Sequence, residues 1–230
     1  MPSPPAILIG ALSGWRHHER RARCLATWMA DAEALCTRAV FLLGCAAAAV
    51  PELVGPHYLC LPCPDNYDSL PQRTLWFCRW ALERDDWDYL FKCDDDTYVS
   101  VPRLLAYDLA GRDYVGAEWK PGVGYGSGGG GYFLSRRAVA IVACRLESFP
   151  AGAEDLLVGR VLCEAGIALS IEPRLVPFGS LERRPRRENG LITLHGADAA
   201  AFLASAAETG LPRGGRPASG VVACDGSPHP

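Results

Sequence analysis

Three consecutive carboxylates, Asp94-Asp95-Asp96, follow the apolar run Trp87-Asp88-Tyr89-Leu90-Phe91-Lys92-Cys93 and precede Thr97-Tyr98-Val99. A short apolar strand delivers its last residues to a sheet edge. Adjacent carboxylates repel, so a folded chain keeps them together when something offsets the charge. A hard divalent cation, which prefers oxygen ligands, does this. A solvated acidic turn carries the same letters, but apolar residues on both sides favour the metal. Alternation along an extended chain puts Asp94 and Asp96 on one side and Asp95 on the other. Two further groups have the right chemistry. Glu154-Asp155 opens an amphipathic segment that ends at Gly166. There the pair complements the helix dipole, and a carboxylate held at a helix start also suits a general base. His195 closes the apolar run Leu191 to Leu194, as a structural residue or as a metal ligand.

The elements that must position these groups alternate strand and helix. Residues 6–12 read as a buried strand broken by Ser13-Gly14, 17–29 as a helix with a basic first half, and 38–44 as a second strand. This β-α-β opening favours a parallel sheet with a right-handed crossover, which binds ligands beyond the carboxyl ends of its strands. The basic cluster around Arg20, Arg21 and Arg23 lies at that end, to meet a phosphate or to form a solvated helix face. Residues 46–56 read as an Ala-rich loop or short helix and 58–61 as a strand. A helix over 70–83 is capped by Asp68 or Ser69, with Pro71 in its first turn. A short helix is expected over 102–109, then a strand over 113–117. Seven glycines among residues 122–131 exclude a regular element and imply close approach to a ligand or a mobile loop. No Gly-Lys-Ser/Thr follows, so this is not a phosphate-binding P-loop. A helix over 136–146, the helix from 154, and strands over 167–172 and 191–195 complete the pattern. Arg183 to Arg187 is a basic loop, and residues 210–230 read as a disordered tail.

The 230 residues are 49% hydrophobic and 21% charged, with a formal net charge of −3. That length buries a proper core. The charge offers no basic field for nucleic acid, and no apolar run spans a membrane. The N-terminus shows no basic n-region, so a soluble, cytoplasmic protein is expected. Ten cysteines include a single C-x-x-C, Cys60 to Cys63. Without a second pair it is not a zinc site, and free buried thiols are expected, at Cys78, Cys93, Cys144 and Cys163 among others.

Five segments in order resemble the β-1,3-galactosyltransferase and fringe-like family of inverting glycosyltransferases. They are Ile7-Leu8-Ile9-Gly10 through Glu19-Arg20-Arg21 to Thr27-Trp28; Tyr67 to Trp80; Phe91 to Val99; Ser127 to Arg136; and Glu154-Asp155-Leu156-Leu157-Val158-Gly159. The resemblance covers about residues 6–196. It implies an α/β fold of the GT-A type, a mixed, mostly parallel central sheet flanked by helices. It also implies one catalytic domain over 1–209, with a nucleotide-binding half near 6–100 and an acceptor-binding half near 101–209. The implied reaction moves a sugar from a UDP-sugar to a hydroxyl of a glycan or glycosylated acceptor, with manganese or another divalent cation and a β-1,3 linkage. By position, Asp96 and His195 ligate the metal, Asp94 lies near the ribose or reaches the metal through water, and Asp155 is the general base. Ser13, Arg20, Arg21, Asp94 and Asp95 become candidates for nucleotide contacts. Gly128, Gly129, Gly130 and Glu154 become candidates for substrate contacts, with Trp119 and Tyr132 stacking on a sugar face. The chain departs from the family at Leu25, where an Arg is common, and at Arg73, where a Lys is usual. Two other classes remain: a catalytically silent sugar- or nucleotide-binding relative, and a phosphohydrolase, which needs more ligands for a second metal.

Overall fold

A computed structural model of the chain describes residues 5–148, 152–177 and 190–196. The basic loop 183–187 and the tail 210–230 lie outside the described residues. The strands are β1 (Ile7–Leu12), β2 (Ala39–Gly44), β3 (Glu52–Val54), β4 (Tyr58–Leu61), β5 (Tyr89–Asp94), β6 (Thr97–Val99), β7 (Tyr114–Gly116), β8 (Tyr132–Ser135), β9 (Ser170–Ile171), β10 (Leu175–Val176) and β11 (Thr193–His195). The helices are α1 (His18–Leu25), α2 (Trp28–Ala34), α3 (Leu70–Leu82), α4 (Val101–Leu105), α5 (Arg136–Arg145) and α6 (Glu154–Glu164).

Eight strands form one sheet in the order β3-β4-β2-β1-β5-β8-β7-β9, and β10-β11-β6 form a small second sheet. The run β4-β2-β1-β5 is parallel, whereas β8 is antiparallel to both neighbours. The chain leaves β1 in one direction for β2 and returns on its other side as β5. That reversal opens a crevice between the carboxyl ends of β1 and β5, where open α/β sheets bind ligands. The register pairs Leu12 with Asp94, so Ser13 and Asp95 emerge side by side.

Alternation along β1 divides the core into two. Ile7, Ile9 and Ala11 face a cluster with Trp28 and Met29 of α2, Leu104 of α4 and Leu194 of the small sheet. Leu8 and Leu12 face a second cluster with Phe77 of α3, Val142 of α5 and Val158 of α6. Burial of these side chains drives the fold. Among the described residues, no helix is long and apolar enough to cross a membrane.

Several elements differ from the sequence expectation. The expected helix 17–29 is two helices, because the Thr27 hydroxyl donates back to the Arg23 carbonyl at 2.7 Å and its backbone leaves the helical region, a bend that Thr favours. Residues 52–54 pair with β4 as an edge strand rather than forming only a loop or helix. The cap before α3 is Asn66, whose side chain accepts from the Ser69 amide, ahead of a single 3-10 turn. Glycine-rich lead-in and short length hid β8. Cys144 and Cys163 are exposed, because helical spacing turns them outward next to the inward Ala143 and Leu162. Cys63, Cys78 and Cys93 are free and buried, and Cys60 is buried.

Candidate active site

Strand β5 ends at Asp94, and the turn Asp95-Asp96 leads into β6. The turn, rather than a continuous pleat, separates the three carboxylates. Antiparallel pairing of β6 with β11 sets His195 opposite Thr97, which brings the imidazole back over the acidic turn. His195 Nε2 lies 3.2 Å from Asp96 and 3.9 Å from Asp94. The three side chains each offer one ligand atom, all within 4.8 Å of one another. Two carboxylates and one imidazole form a mostly oxygen donor set that suits a hard or borderline divalent cation. Room for the imidazole is kept by glycine: a Cβ on Gly129 would fall 2.1 Å from the His195 ring. Burial pushes the Asp96 carboxyl up, but the hydrogen bond and charge of His195 and the Arg20 guanidinium outweigh this and hold it below its usual value.

Asp95 faces the other way and is buried. It accepts from the Ser13 hydroxyl at 2.7 Å and from Arg20 at 3.1 Å, with His17 Nδ1 at 3.0 Å. Arg20 reaches Asp96 as well, at 3.1 Å, with its side chain 43% exposed. Arg21 is buried and donates to Ser13, to the Gly14 carbonyl and to the Trp15 carbonyl. Ser13, Arg21 and Asp95 are thus occupied in fixing the loop after β1, and Arg20 is the partly exposed cation of this group. Arg73 completes the loop from α3: it donates to the carbonyls of Ser13 and Asn66 and pairs with Asp65 at 3.0 Å. Asp65 in turn accepts from the backbone N–H of Trp15 at 2.8 Å.

On the α3/α6 side, Lys92 is fully buried two residues before Asp94. Its ammonium lies 3.1 Å from Asp94 and 2.9 Å from Glu154. Burial pulls its pKa down, yet Asp94 and Glu154 together raise it above the usual lysine value, so it is a permanent cation. The other Glu154 oxygen accepts from Thr74 at 2.7 Å and from the Tyr132 hydroxyl. Asp155 follows Glu154 at the start of α6 and is half-buried. Its two oxygens accept the backbone N–H of Gly128 at 3.0 Å and of Leu156 at 2.9 Å, which fixes the carboxylate beside the glycine-rich segment.

That segment is pinned from the small sheet. Thr97 donates to the Gly129 carbonyl at 2.6 Å, and Thr193 donates to the Gly130 carbonyl. A Cβ on Gly128 would meet Lys92 at 2.8 Å and Glu154 at 2.9 Å. Gly128, Gly129 and Gly130 are therefore buried packing positions between the two sheets and α6. Tyr132 is fully buried with its hydroxyl on Glu154, so its ring offers no open face to a sugar. Trp119 is 54% exposed, on the loop after β7. Sequence reasoning passed over Lys92, Thr74 and His17. Lys92 had a signal: a lone cation in an apolar strand, on the same alternating face as Asp94.

Among solved structures, the chain is similar to a glycosyltransferase involved in the glycosylation of the major capsid of PBCV-1. The TM-score is 0.52 at 15% identity, covering 90% of this chain and 100% of that one. The fold is of the GT-A type. A second similar structure is the glycosyltransferase GlyE of Streptococcus pneumoniae TIGR4, at a TM-score of 0.44 and 12% identity, covering 86% of this chain and 55% of that one. No protein-family model matches the sequence.

Two variants test the geometry. Gly129→Ala displaces the His195 ring and should weaken divalent-ion binding by at least about tenfold, more than 1.4 kcal/mol, in isothermal titration. Unchanged affinity would remove His195 from the ligand set. Lys92→Met leaves Glu154 buried and unpaired, and breaking such a pair costs about 3–5 kcal/mol. The double variant Lys92→Met with Glu154→Gln should regain much of that stability in urea denaturation. Equal stability of single and double variants would show that the buried pair is not what holds β5 to α6.

Proposed function

We propose that the chain is a metal-dependent inverting glycosyltransferase of the fringe-like kind, taking a UDP-sugar and forming a β-1,3 linkage to a glycan or glycosylated acceptor. One observation carries this reading. Asp94, Asp96 and His195 converge at the switch crevice of a GT-A sheet, and Asp155, at the start of α6, accepts the Gly128 N–H of the glycine-rich segment that packs on His195. Strands up to β6 would hold the nucleotide, and the elements after it the acceptor. The third class raised by the sequence, a phosphohydrolase, finds no further ligand cluster among the described residues.

Asp94, Asp96 and His195 would hold the ion, which we take to be manganese. When bound, it stabilises the charge that develops on a leaving diphosphate. Arg20 contacts its carboxylates through Nη1, and the remaining guanidinium N–H groups are of the type that binds phosphate. Asp155 accepts the proton of the acceptor hydroxyl as that oxygen forms its bond to the anomeric carbon. The bond from that carbon to the diphosphate breaks, and the electron pair leaves with UDP. A single carboxylate on the acceptor side gives inversion, and no covalent nucleophile is needed. Glu154 sits behind Asp155 and, bonded to Lys92, Thr74 and Tyr132, orients the start of α6 rather than touching substrate.

The test is thermal stabilisation, since a ligand that binds the native state raises its apparent stability by mass action. UDP should raise the melting temperature with manganese and not with EDTA. Asp96→Ala should lose that shift. Asp155→Asn should keep it while losing transfer by about 10²–10⁴-fold, the range for a general base. No UDP shift with any divalent ion would favour a silent relative or a different nucleotide. Undiminished transfer by Asp155→Asn would overturn the base assignment.

A further inference from the structure

Two thiols that the site described so far does not use meet over one backbone carbonyl. Strand β2 ends at Gly44 and β4 at Leu61, and these two residues are partners in the parallel ladder. Cys45 and Cys63 stand just past those ends. The Cys45 N–H donates to the Leu61 carbonyl at 2.8 Å, and the Cys63 N–H donates to the same oxygen at 2.7 Å. Bonds of those lengths to one oxygen hold the two nitrogens within about 5.5 Å of each other, which is compatible with the roughly 4.4–6.8 Å between Cα atoms that a disulfide spans. Both thiols are free, Cys45 half-buried and Cys63 buried. Cys60, the other half of the C-x-x-C, is instead held inside β4 by ladders on both sides.

The chain around the two thiols forms one joint. A Cβ on Gly44 would strike the Pro64 carbonyl oxygen, so the backbone after Cys63 lies directly on the residue before Cys45. Asp65 accepts the Gly44 N–H at 3.3 Å and the Trp15 N–H at 2.8 Å. The Trp15 indole N–H donates to the Gly44 carbonyl at 2.8 Å. The ends of β2 and β4 are thereby tied to the loop after β1, the loop that brings Ser13 to Asp95.

The two sulfurs differ in chemistry. Burial pushes the Cys63 thiol up, and the Arg73 guanidinium beside it offsets this only in part. Arg73 is itself buried, and its Nε has no hydrogen-bond partner among the described residues. A buried donor is therefore to spare beside the sulfur for a thiolate formed there. Cys45 is the more accessible of the two, so an external reagent meets it first.

We infer that Cys45 and Cys63 form a reversible disulfide, made by exchange with a low-molecular-weight disulfide of the glutathione class, that locks the joint beneath Trp15. The Cys45 thiolate attacks one sulfur of glutathione disulfide and expels one glutathione thiolate. The Cys63 thiolate then attacks the Cys45 sulfur of the mixed disulfide and expels the second. Two protein thiols are oxidised, one glutathione disulfide is reduced to two glutathiones, and the two protons pass to the departing thiolates. Closing a loop of about 18 residues constrains the unfolded chain and so favours the folded one. The inference is independent of which ligand the crevice takes.

The experiment equilibrates the full chain with oxidised or reduced glutathione, blocks the remaining thiols by alkylation and maps the digest by mass spectrometry. The oxidised chain should yield a peptide pair joined through Cys45 and Cys63 that dithiothreitol separates. Cys63→Ser should stop at the mixed disulfide, carrying one glutathione on Cys45, and Cys45→Ser should leave Cys63 unmodified. The oxidised native chain should melt at a higher temperature than the reduced one, and its Trp15 amide should exchange hydrogen more slowly. Absence of the joined pair in fully oxidised glutathione overturns the inference, as does a cross-link that maps to Cys60 or to any other cysteine. A Cys45–Cys63 link that leaves exchange at Trp15 unchanged overturns the lock.

Discussion

The structure depends on one buried cation. Lys92 sits on β5, two residues before its end, with its ammonium between Asp94 and Glu154. An ammonium taken out of water is costly unless paired, and here two carboxylates meet it. The arrangement joins three elements that no apolar contact would place as narrowly: the end of β5, the start of α6, and through Thr74 the middle of α3. It also fixes orientation. Glu154 cannot rotate without breaking contacts to Lys92, Thr74 and Tyr132, and Asp155 is its neighbour. The carboxylate that would bind a metal and the carboxylate that would move a proton are thereby held by the same ammonium.

A second constraint comes from glycine. Positions 128, 129 and 131 each sit where a Cβ would strike a side chain within 3 Å: Lys92, the His195 ring and Phe91. Their role is close packing of the strand pair β5–β8 against the small sheet, not freedom of motion. This is why the segment is bonded by Thr97, Thr193 and Asp155 through its backbone. The sequence reading of close approach or a mobile loop left open what would do the approaching. The neighbours are the protein's own side chains, Lys92, His195 and Phe91.

Much of the fold was legible because local signals agreed with the final structure. The apolar runs became β1, β2 and β5, the Pro71 start became α3, and Glu154 to Gly166 became α6 with its C-terminal turn. Strands of two or three residues, β3, β9 and β10, were not separately legible or were misjudged in extent, since they carry too few residues to show a period. The grouping of Asp94 and Asp96 apart from Asp95 was anticipated from alternation, although a turn produces it. Burial of Asp95 was not anticipated, because it depends on Ser13 and His17 from the loop after β1 and Arg20 from α1, 82 positions away in the case of Ser13. The stacking role expected for Tyr132 followed from residue type alone. Its position on β8, facing Glu154, is set by a strand that the glycines before it concealed.

The placement of His195 shows how the two sheets depend on each other. The main sheet presents Asp94, the turn presents Asp96, and the imidazole arrives only through the β6–β11 pairing, three residues on each strand. Ladders that short are weak by themselves. They hold here because Leu194 and Val99 enter the same core as β1 and α2, and because Thr97 and Thr193 tie both strands to the glycine segment. Any cation held by all three ligands is linked to that pairing: binding it favours the closed small sheet, and opening the sheet releases one ligand of three. The third ligand is therefore the one whose position the rest of the fold specifies least directly, and the buried threonines beside it are what keep it within reach of the two aspartates.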